Sequence, residues 1–436
     1  MGFLKKIFTP SILILSLLIL SYGIYQSEVT WSGARREYYN YYYVVSFLLI
    51  FFSIFTYFIS QEIKEYLIIL SISLIIALYL FEGFLTFQKQ ALKEQLLKEN
   101  IYEKEMGEKW EKRSKFEIYN DLKKSDDEIV VVLGPRNHIF KNYPIFPLSG
   151  ISNSKTIYCN EHGYYSIYQS DRHGFNNPNF EWDQKEIEYL LVGDSFTHGA
   201  CVNRPHDISS VLRTITNKSV LNLGYGSDGP LLEYATLREY LNKNVKKIIW
   251  VYTERSDLND LLKEKEDNIL INYLNDMNYT QNLKHRQDEI NELAMKIIKE
   301  EGKKDDKEVS NFNFKKFSRL YKTRNKIFSK ILVPAPVPEF KKIIQLTKNL
   351  VEKNESELFF VYLPTYSHYQ DDFDITNYNL VKGIVNDLGI KLIDMHEEVF
   401  KKEENPLKLF PFEQSAHYTI EGYKKVAETI YKHTKD

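Results

Sequence analysis

Three long apolar runs open the chain. No charged side chain occurs between Ile7 and Gln26, and further charge-free runs extend from Tyr39 to Ser60 and from Tyr66 to Phe81. A stretch of about 20 apolar residues is long enough to cross the hydrocarbon core of a bilayer as a helix. No cleavage site of small residues follows the first run, which favours an uncleaved anchor over a signal peptide. The pattern predicts three transmembrane helices within residues 1–87.

The charges beside these runs bear on membrane orientation. Lys5 and Lys6 favour a cytoplasmic amino terminus, whereas Arg35 and Arg36 in the first loop oppose it. Three spans from a cytoplasmic start place everything after Phe87 outside the cytoplasm, and this is the orientation we predict.

A charged segment separates the apolar runs from the rest of the chain. Residues 88–124 are dense in Glu and Lys, with Leu92, Leu96 and Leu97 near helical spacing. We interpret this segment as a solvated helical stalk, and a charged linker without a function of its own is the simpler alternative.

From residue 125 onward, short apolar runs alternate with amphipathic stretches. Ile129–Leu133 is the first run, and Gly150–Asn153 and Tyr164–Tyr168 look like short extended pieces. Five further strands are predicted at Ile187–Gly193, Ser219–Leu223, Lys247–Thr253, Leu358–Leu363 and Ile390–Ile393. Strands that alternate with helices indicate an α/β domain, residues 125–436, in which helices cover both faces of a parallel sheet.

One block interrupts this alternation. Residues 262–333 contain no convincing strand, are rich in charge and carry a helical apolar stripe from Ile290 to Ile298. We interpret them as a helical insertion with a mobile loop. Because the insertion follows the carboxyl end of a central strand, our hypothesis is that it roofs a site there.

Composition excludes several classes of function. The 57 Lys and Arg residues nearly balance the 59 Asp and Glu residues, and no basic stripe suited to nucleic acid is evident. Two cysteines, Cys159 and Cys201, form neither a disulfide framework nor a thiolate metal site, although one bridge could form in an oxidising compartment. No phosphate-binding loop or zinc pattern occurs, so we expect no cofactor and no metal.

Two residues have the chemistry of a nucleophile and its base. Ser195 follows the strand Ile187–Gly193 in the segment Gly193-Asp194-Ser195, at the sheet edge where parallel α/β sheets bind ligands. His417 lies just ahead of the last amphipathic helix, and a histidine is the usual base for a serine hydroxyl. His198, one turn after Ser195, is expected in the wall of the site or on the helix surface rather than as a base.

These blocks resemble the SGNH, or GDSL, hydrolase superfamily. Gly193-Asp194-Ser195 is similar to its first block, Asn222–Pro230 to the second, Tyr252–Asp260 to the third, and His417 with Gly422-Tyr423 to the fifth. The segment Tyr168–Pro178 resembles one that precedes the serine in membrane-anchored members associated with surface polysaccharides. The resemblance implies a flavodoxin-like three-layer α/β/α sandwich.

The resemblance also implies roles for individual residues. Ser195 would attack an ester carbonyl while His417 accepts its proton, and Asp194 would lie in the site beside them. The oxyanion would be bound by the Ser195 N–H and by second-block and third-block donors, for which the candidates are Gly224, Gly226, Ser256 and Asn259.

The sequence departs from the family pattern in three places. The second-block glycine is ambiguous, because Gly224, Gly226 and Ser227 all compete for that position. Ser256 stands where the third block has an asparagine, and Gln414 stands three residues before His417, where the family has an acid. The Gln414 carbonyl could accept from the histidine ring, or the neighbouring Glu413 could face it.

The resulting hypothesis is a membrane-anchored serine esterase or O-acyltransferase that acts on acyl esters, such as acetyl esters, of cell-surface glycan. Its partners would be the ester substrate and membrane lipid. Its globular domain would lie in the periplasm or outside the cell, anchored in a bacterial inner or plasma membrane. The main alternative is a catalytically silent module that binds glycan or assists envelope polysaccharide assembly. A third option is a cytoplasmic hydrolase of lipid intermediates.

Overall fold

The chain divides into two units. The computed structural model describes residues 2–30, 36–87, 90–135, 137–140, 143–254, 256–305, 313–328, 337–371 and 373–435. One unit is Met1–Gln90 with Val309–Pro334, and the other is Ala91–Glu308 with Ala335–Asp436. Arg35, residues 88–89 of the predicted stalk, and residues 306–312 and 329–333 of the predicted insertion lie outside the described residues.

The described residues form eighteen α-helices and eight strands. The helices are α1 Gly2–Ile24, α2 Arg36–Phe55, α3 Gln61–Phe87, α4 Gln90–Met106, α5 Lys115–Leu122, α6 Asn137–Phe140, α7 Ser195–His198, α8 Ile208–Thr216, α9 Pro230–Tyr240, α10 Ser256–Glu264, α11 Asn268–Asn275, α12 Gln287–Asp305, α13 Phe314–Ser318, α14 Tyr321–Phe328, α15 Val337–Lys353, α16 Thr376–Asp387, α17 Met395–Glu398 and α18 Ile420–Thr434. The strands are β1 Ile129–Val131, β2 Lys155–Ile157, β3 Ile167–Gln169, β4 Ile187–Gly193, β5 Val220–Asn222, β6 Val245–Thr253, β7 Glu357–Leu363 and β8 Lys391–Asp394.

The first unit contains the apolar helices. Each of the three apolar runs is helical, as α1, α2 and α3. Two stretches, Gly2–Val29 and Gln61–Phe87, are long and apolar enough to cross a membrane, and the apolar stretch Tyr39–Phe55 in α2 is shorter. Length and composition therefore support two of the three predicted spans.

Two short helices from the predicted insertion belong to this first unit. The buried carboxylate of Glu82 in α3 accepts the backbone N–H groups of Lys322, at 3.1 Å, and Thr323, at 2.7 Å. Acceptors at a helix start satisfy N–H groups that have no partner within the helix. The Tyr79 hydroxyl donates to the Ser318 carbonyl at 2.9 Å. Residues 313–328 thus pack against α3.

The second unit is built on a five-stranded parallel sheet in the order β5-β4-β6-β7-β8. Numbered along the chain, this is 2-1-3-4-5, the flavodoxin-like order of doubly wound sheets. All five strands are predicted from their apolar runs, because parallel strands covered on both faces are almost continuously apolar. The predicted three-layer α/β/α fold is confirmed.

Successive residues of the central strands feed two cores. Leu190 and Trp250 pack in the core on one face of the sheet, together with Phe340 of α15. Their neighbours Leu191 and Val251 pack in the core on the other face, with α18. This alternation follows from the two-residue period of a strand, and it fixes the layers that hold the site.

A separate three-stranded sheet precedes the main one. Strand β1 pairs with β2 in parallel, and β2 pairs with β3 antiparallel. The extended piece predicted around a turn at Gly150–Asn153 is misplaced: Ser152 and Asn153 form the turn, and the strand begins after it, at Lys155. Three-residue strands carry too little periodicity to be located from sequence.

Part of the predicted insertion belongs to the core of the second unit. Leu270 of α11 and Ile290 and Ile297 of α12 are buried in the main core, and Ala294 and Ile298 cover the small sheet. Residues 262–305 are therefore an integral layer of the fold rather than an added roof.

Candidate active site

The carboxyl end of β4 positions Ser195 at the start of α7. Asp194 caps this helix, its carboxylate accepting the Phe196 N–H at 2.9 Å. Two glycines allow the close packing that this turn requires. A Cβ on Gly193 would lie 2.1 Å from Thr197 Oγ1, and one on Gly224 would lie 2.6 Å from the His198 backbone nitrogen.

His417 lies within hydrogen-bond reach of the serine. Its Nε2 is 2.9 Å from Ser195 Oγ, although 222 residues separate the two. The next residue, Tyr418, is buried and donates its hydroxyl to the Pro364 carbonyl at 2.5 Å. The Phe196 ring packs 4.6 Å from the imidazole. These contacts hold the imidazole against the serine hydroxyl.

Glu161 occupies the other side of the imidazole. Its Oε2 accepts from His417 Nδ1 at 3.0 Å and from the His417 backbone N–H at 2.7 Å. A carboxylate at Nδ1 assigns the proton to that nitrogen and leaves Nε2 to accept from the serine hydroxyl. The serine, histidine and glutamate thus form one continuous hydrogen-bonded chain.

The charges of this pair favour the ionised carboxylate. Burial opposes ionisation of Glu161, but the charge and the two hydrogen bonds of His417 outweigh it and lower the glutamate pKa to about 2. Burial likewise opposes protonation of His417, yet the charge and hydrogen bond of Glu161 raise the histidine pKa above its ordinary value. Glu161 therefore stabilises the imidazolium that forms when His417 takes a proton.

Gln414 does not occupy the acid position that the sequence predicted for it. Its side-chain amide donates to the Glu413 carbonyl at 3.1 Å, and the partner of His417 Nδ1 is Glu161. Glu413, the other candidate acid, is exposed. The reason is the local backbone: Phe412 and Glu413 both have positive φ, 56° and 52°, and this turn precedes Gln414. Sequence reasoning missed Glu161 because its contact with the base spans 256 residues.

A disulfide fixes the loop that carries Glu161. Cys159 and Cys201 are bonded, with Cα atoms 5.0 Å apart. Cys159 lies two residues before Glu161, and Cys201 follows α7. The Cys201 sulfur is 3.8 Å from His417 Nδ1. The bridge therefore joins the acid's loop to the nucleophile's turn, a proximity that the sequence signalled only through the pair of cysteines.

The predicted oxyanion donors fall into two groups. Ser256 and Asn259 line the same cleft as Ser195, and the Ser256 hydroxyl lies 3.1 Å from Asp257 Oδ1. Gly224 donates its N–H to Asn222 Oδ1 at 2.8 Å, which removes that donor from the site.

Gly226 also lies away from the cleft. A Cβ there would meet the Tyr158 hydroxyl at 2.2 Å, and Gly226 lines a different cavity, which it shares with Val131 and Ile298. Neither second-block glycine is therefore among the described residues that line the cleft.

Asp194 supports the turn rather than offering a donor. Its Oδ1 accepts from the Phe196 N–H and from the Thr253 hydroxyl, at 2.9 Å each. Burial raises the pKa of the Asp194 carboxyl and of its neighbour Asp257. The carboxyl group ties the ends of β4 and β6 together beneath Ser195.

The cleft over Ser195 is open and polar, with a volume of about 690 Å³. Its lining residues are Glu161, Asp194, Ser195, Phe196, Thr253, Glu254, Ser256, Asn259, Asp260, Thr365, Tyr366, Ser367, Gln370, Ser415, Ala416 and His417. Among the described residues, the lining includes no lysine or arginine and nothing from 262–305. The hypothesis that the insertion roofs the site is therefore wrong for that part of it.

His198 is buried away from the nucleophile. Its ring packs between Tyr158 and Tyr168, at centroid distances of 4.7 and 4.6 Å, and its Nδ1 is 3.3 Å from the Gly224 carbonyl. Burial lowers its pKa to about 4, so the ring is neutral. His198 is therefore not placed to act as the base, as expected, but the expectation that it lies in the wall of the site or on the helix surface is wrong, because its side chain is buried between the two tyrosines.

Comparisons with known proteins find similarity only among solved structures. No family model matches the chain, and no curated protein sequence matches it. A structure described as a lipolytic protein of the G-D-S-L family from Desulfitobacterium hafniense is 14% identical, covers 57% of this chain and 99% of its own, and has a TM-score of 0.33.

Two esterase structures give similar values. The acetyl xylan esterase AlAXEase is 12% identical, over 57% of this chain and 99% of its own, with a TM-score of 0.33. The acetylxylan esterase Axe2 from Geobacillus stearothermophilus is 11% identical, over 57% and 94%, with a TM-score of 0.31. All three TM-scores are below 0.5, so the interpretation of the fold and site rests on the strand order and distances of this chain.

Proposed function

We propose that the chain is a membrane-anchored serine esterase or O-acyltransferase that uses Ser195, His417 and Glu161 as a catalytic triad. The observation that carries this proposal is the hydrogen-bonded chain from Ser195 Oγ to His417 Nε2, at 2.9 Å, and from His417 Nδ1 to Glu161, at 3.0 Å. A serine hydroxyl becomes a useful nucleophile when a histidine within this range takes its proton and a third group orients the histidine.

The proposed reaction has two halves. Ser195 Oγ attacks the ester carbonyl carbon while its proton passes to His417 Nε2, and Glu161 stabilises the imidazolium through Nδ1–H. The tetrahedral intermediate then expels the alcohol, which leaves with the proton from His417. Water or a sugar hydroxyl next gives its proton to His417 and attacks the acyl group, which restores the Ser195 hydroxyl.

The oxyanion requires hydrogen-bond donors on the cleft side of Ser195. The Ser195 N–H lies at the start of α7, where N–H groups face outward and favour negative charge. Asn259 contributes a side-chain amide to the lining of the cleft, as does Gln370. We propose Asn259, which lies in the third block, in place of the family's asparagine, because the Ser256 hydroxyl already donates to Asp257 Oδ1.

A glycan ester is the substrate class that suits the cleft. Hydroxyl and amide side chains line the cleft with Ser195, and so does the half-buried ring of Tyr366. Such groups hydrogen-bond to sugar hydroxyls, and an aromatic ring can pack against a sugar face. The acetyl group remains the acyl group that we propose from the family resemblance.

The apolar helices support the membrane anchor. Phe47 and Phe51 of α2 are 61% and 71% exposed, and Leu70 of α3 is 65% exposed. A soluble protein rarely exposes so much apolar surface. Between α2 and α1, the Ser53 hydroxyl donates to the Thr9 carbonyl at 3.0 Å, a type of polar contact that joins helices within bilayers. We propose that all three helices α1 to α3 span the membrane.

The disulfide supports an extracytoplasmic site. Disulfides persist in oxidising compartments and are rare in the reducing cytoplasm, and Cys159–Cys201 lies beside the proposed triad. This favours a periplasmic or extracellular globular domain over the cytoplasmic alternative. A missing acid at position 414 would favour a catalytically silent module. Glu161 provides a carboxylate at His417 Nδ1 instead, which favours the enzyme over that alternative.

The test is ester turnover by the full-length chain in detergent micelles. With p-nitrophenyl acetate as substrate, we expect turnover that falls to background in Ser195→Ala and His417→Ala. Ser125→Ala and His433→Ala, which change the same residue types away from the cleft, should keep the full rate. Acyl transfer to an acetyl-accepting oligosaccharide is measured in parallel, so that a transferase that excludes water is also detected. Turnover or transfer indifferent to Ser195, or absent in both assays, would contradict the proposal.

A further inference from the structure

One segment near the start of the second unit contacts both loops that carry the base and the acid. We define the acid loop as residues 159–163 and the histidine loop as residues 411–417. The segment is α4 together with the turn that follows it, up to Glu111. The sequence suggested only a solvated stalk for this part of the chain.

Tyr102 of α4 lies against the acid loop. Gly163 has a φ of 89°, and a Cβ at that position would lie 2.3 Å from Tyr102 Cζ. Only glycine fits here, so the ring packs directly on the backbone of the acid loop. Two hydrogen bonds bracket Glu161: the Glu111 N–H donates to the Gly163 carbonyl, and the Asn160 amide donates to the Glu111 carbonyl, each at 2.9 Å.

The same tyrosine lies against the histidine loop. Its ring centroid is 6.2 Å from that of Phe412, edge to face, and the Trp110 ring is 5.9 Å from Phe412. On the helical turn before Tyr102, Lys98 Nζ donates to the Ser415 carbonyl at 2.9 Å. The histidine loop is thus held at two points on the way to His417.

The histidine loop needs such support because its backbone is strained. Phe412 and Glu413 occupy the left-handed region in succession, with φ of 56° and 52°. The left-handed region is unfavourable for residues that carry a Cβ, and such a conformation persists only where its surroundings hold it. The aromatic contacts of Phe412 with Tyr102 and Trp110 provide that hold.

The rings of Tyr102 and Trp110 are buried, so one face of this segment packs against the two loops. Tyr102 is 6% exposed and Trp110 5% exposed, on a segment that is otherwise charged. Glu99 of α4 pairs with Lys112 at 2.9 Å, which ties the helix to the turn that carries Trp110. A solvated stalk would leave the tyrosine and the tryptophan in water.

We infer that Tyr102 is a positioning residue of the proposed triad, which holds the acid loop and the histidine loop at the separation that lets Glu161 reach His417. The inference rests on the proposed function only for its effect on turnover. The contact between Glu161 and His417 can be measured without any substrate.

The first measurement is the pKa of His417, followed by NMR on the full-length chain with labelled histidine in detergent micelles. The charged groups that face His417 are Glu161 and Asp194, which raise its pKa, and Lys98, which lowers it. Glu161→Gln removes the carboxylate and serves as the reference for a lost acid: in this variant the His417 pKa should be lower than in the wild type. We expect Tyr102→Ala to lower the pKa in the same direction, whereas Tyr102→Phe, which keeps the ring, should match the wild type. Leu97→Ala, at a half-exposed position of the same helix, is the control.

A second variant guards against misfolding of Tyr102→Ala. Phe412→Ala removes the half-buried ring that contacts Tyr102 and keeps a Cβ at φ 56°, so it should fold while the strained histidine loop loses its support. We expect it to lower the His417 pKa as well. A His417 pKa equal to that of the wild type in folded Tyr102→Ala, or in Phe412→Ala if the former does not fold, would overturn the inference.

Ester turnover then separates this inference from the proposed function. We expect Tyr102→Ala to lower kcat by about tenfold to a hundredfold with little change in KM, because a displacement of about 1 Å in a catalytic group costs up to about a hundredfold. If the wild type shows no turnover that depends on Ser195, the proposed function fails, and the His417 pKa still decides the positioning role.

Discussion

Glu161 binds His417 twice, through the ring Nδ1–H and through the backbone N–H. The first contact fixes the tautomer, and the second fixes the loop on which the ring is carried. A glutamine at position 414 could do neither as well, because an amide oxygen carries no charge to stabilise an imidazolium. At the scale of single residues, the proposal of a catalytic site rather than a silent one therefore depends on the carboxylate of Glu161.

Replacing Glu161 by Gln tests this role. Because Glu161 raises the His417 pKa above its ordinary value of 6.5, and only neutral His417 can act as a base, wild-type activity should fall as the pH drops through that raised pKa. In Glu161→Gln the histidine pKa falls, so the acidic limb of the profile of kcat/KM against pH should move to lower pH. The maximal rate should drop by about 10³–10⁴.

The control for this variant is Glu413→Gln, which changes an exposed carboxylate on the histidine loop. It should leave both the rate and the acidic limb in place. An unchanged limb and rate in Glu161→Gln would show that the glutamate does not act on His417.

The sequence identified Ser195 and His417 because each sits in a local pattern, a strand end and a loop before a helix. Glu161 lacked such a pattern. Its partner is 256 residues away, and the acid expected from local spacing, at position 414, is not one. The second-block glycines were also misjudged, because the side chain of Asn222 takes the Gly224 N–H.

At the scale of elements, the disulfide Cys159–Cys201 joins two pieces of the site that the sheet does not connect. The acid loop lies beyond β2, in the small sheet, whereas Cys201 follows α7 at the edge of the main sheet. Among the described residues, no strand of one sheet pairs with a strand of the other. The disulfide is therefore a covalent link between the two parts of the site.

Reduction of this bond should lower activity. A dithiol that converts the bridge to two thiols, and is itself oxidised to a disulfide, frees the acid loop from the turn after Ser195. We expect a loss of about tenfold to a hundredfold, since Glu161 would no longer be held at His417, and recovery on reoxidation. The Cys159→Ser/Cys201→Ser variant should be equally slow and indifferent to the dithiol. Full activity in that variant would show that the bridge does not position the acid.

The strands of the main sheet were predicted to within about two residues, because buried parallel strands are continuous apolar runs. The sequence also predicted helices within residues 262–333, but it did not predict which parts of the protein they pack against. An apolar stripe such as Ile290 to Ile298 indicates that one face of the helix is buried, but it does not indicate which part of the protein covers that face. In the structure, that face covers the small sheet and the main core.

For the whole molecule, the sequence indicated a membrane part and a globular part, and the structure contains two units. The assignment of residues 313–328 to the first unit was not predictable, since their partner is Glu82 of α3, 240 residues earlier. The three-span arrangement and its orientation stay predictions.

Topology can be measured with fusions to the carboxyl terminus. If three helices span the membrane from a cytoplasmic amino terminus, alkaline phosphatase, which needs an oxidising compartment to form its own disulfides, should be active at that end. A reporter that works only in the cytoplasm should be inactive there. The reverse pair of results would place the site in the cytoplasm and remove the compartment that the Cys159–Cys201 bridge requires.

The central claim is that Ser195 is a nucleophile activated by His417 and Glu161, and covalent capture tests it most directly. The full-length chain in detergent micelles is incubated with a fluorophosphonate. An activated serine oxygen attacks its phosphorus and displaces fluoride while the base takes the serine proton, whether the enzyme transfers acyl groups to water or to a sugar. Mass spectrometry should find one adduct, on the peptide that contains Ser195, formed rapidly in the wild type, slowly in Glu161→Gln and not at all in Ser195→Ala or His417→Ala. No adduct in the wild type, or an adduct that persists in Ser195→Ala, would contradict the account.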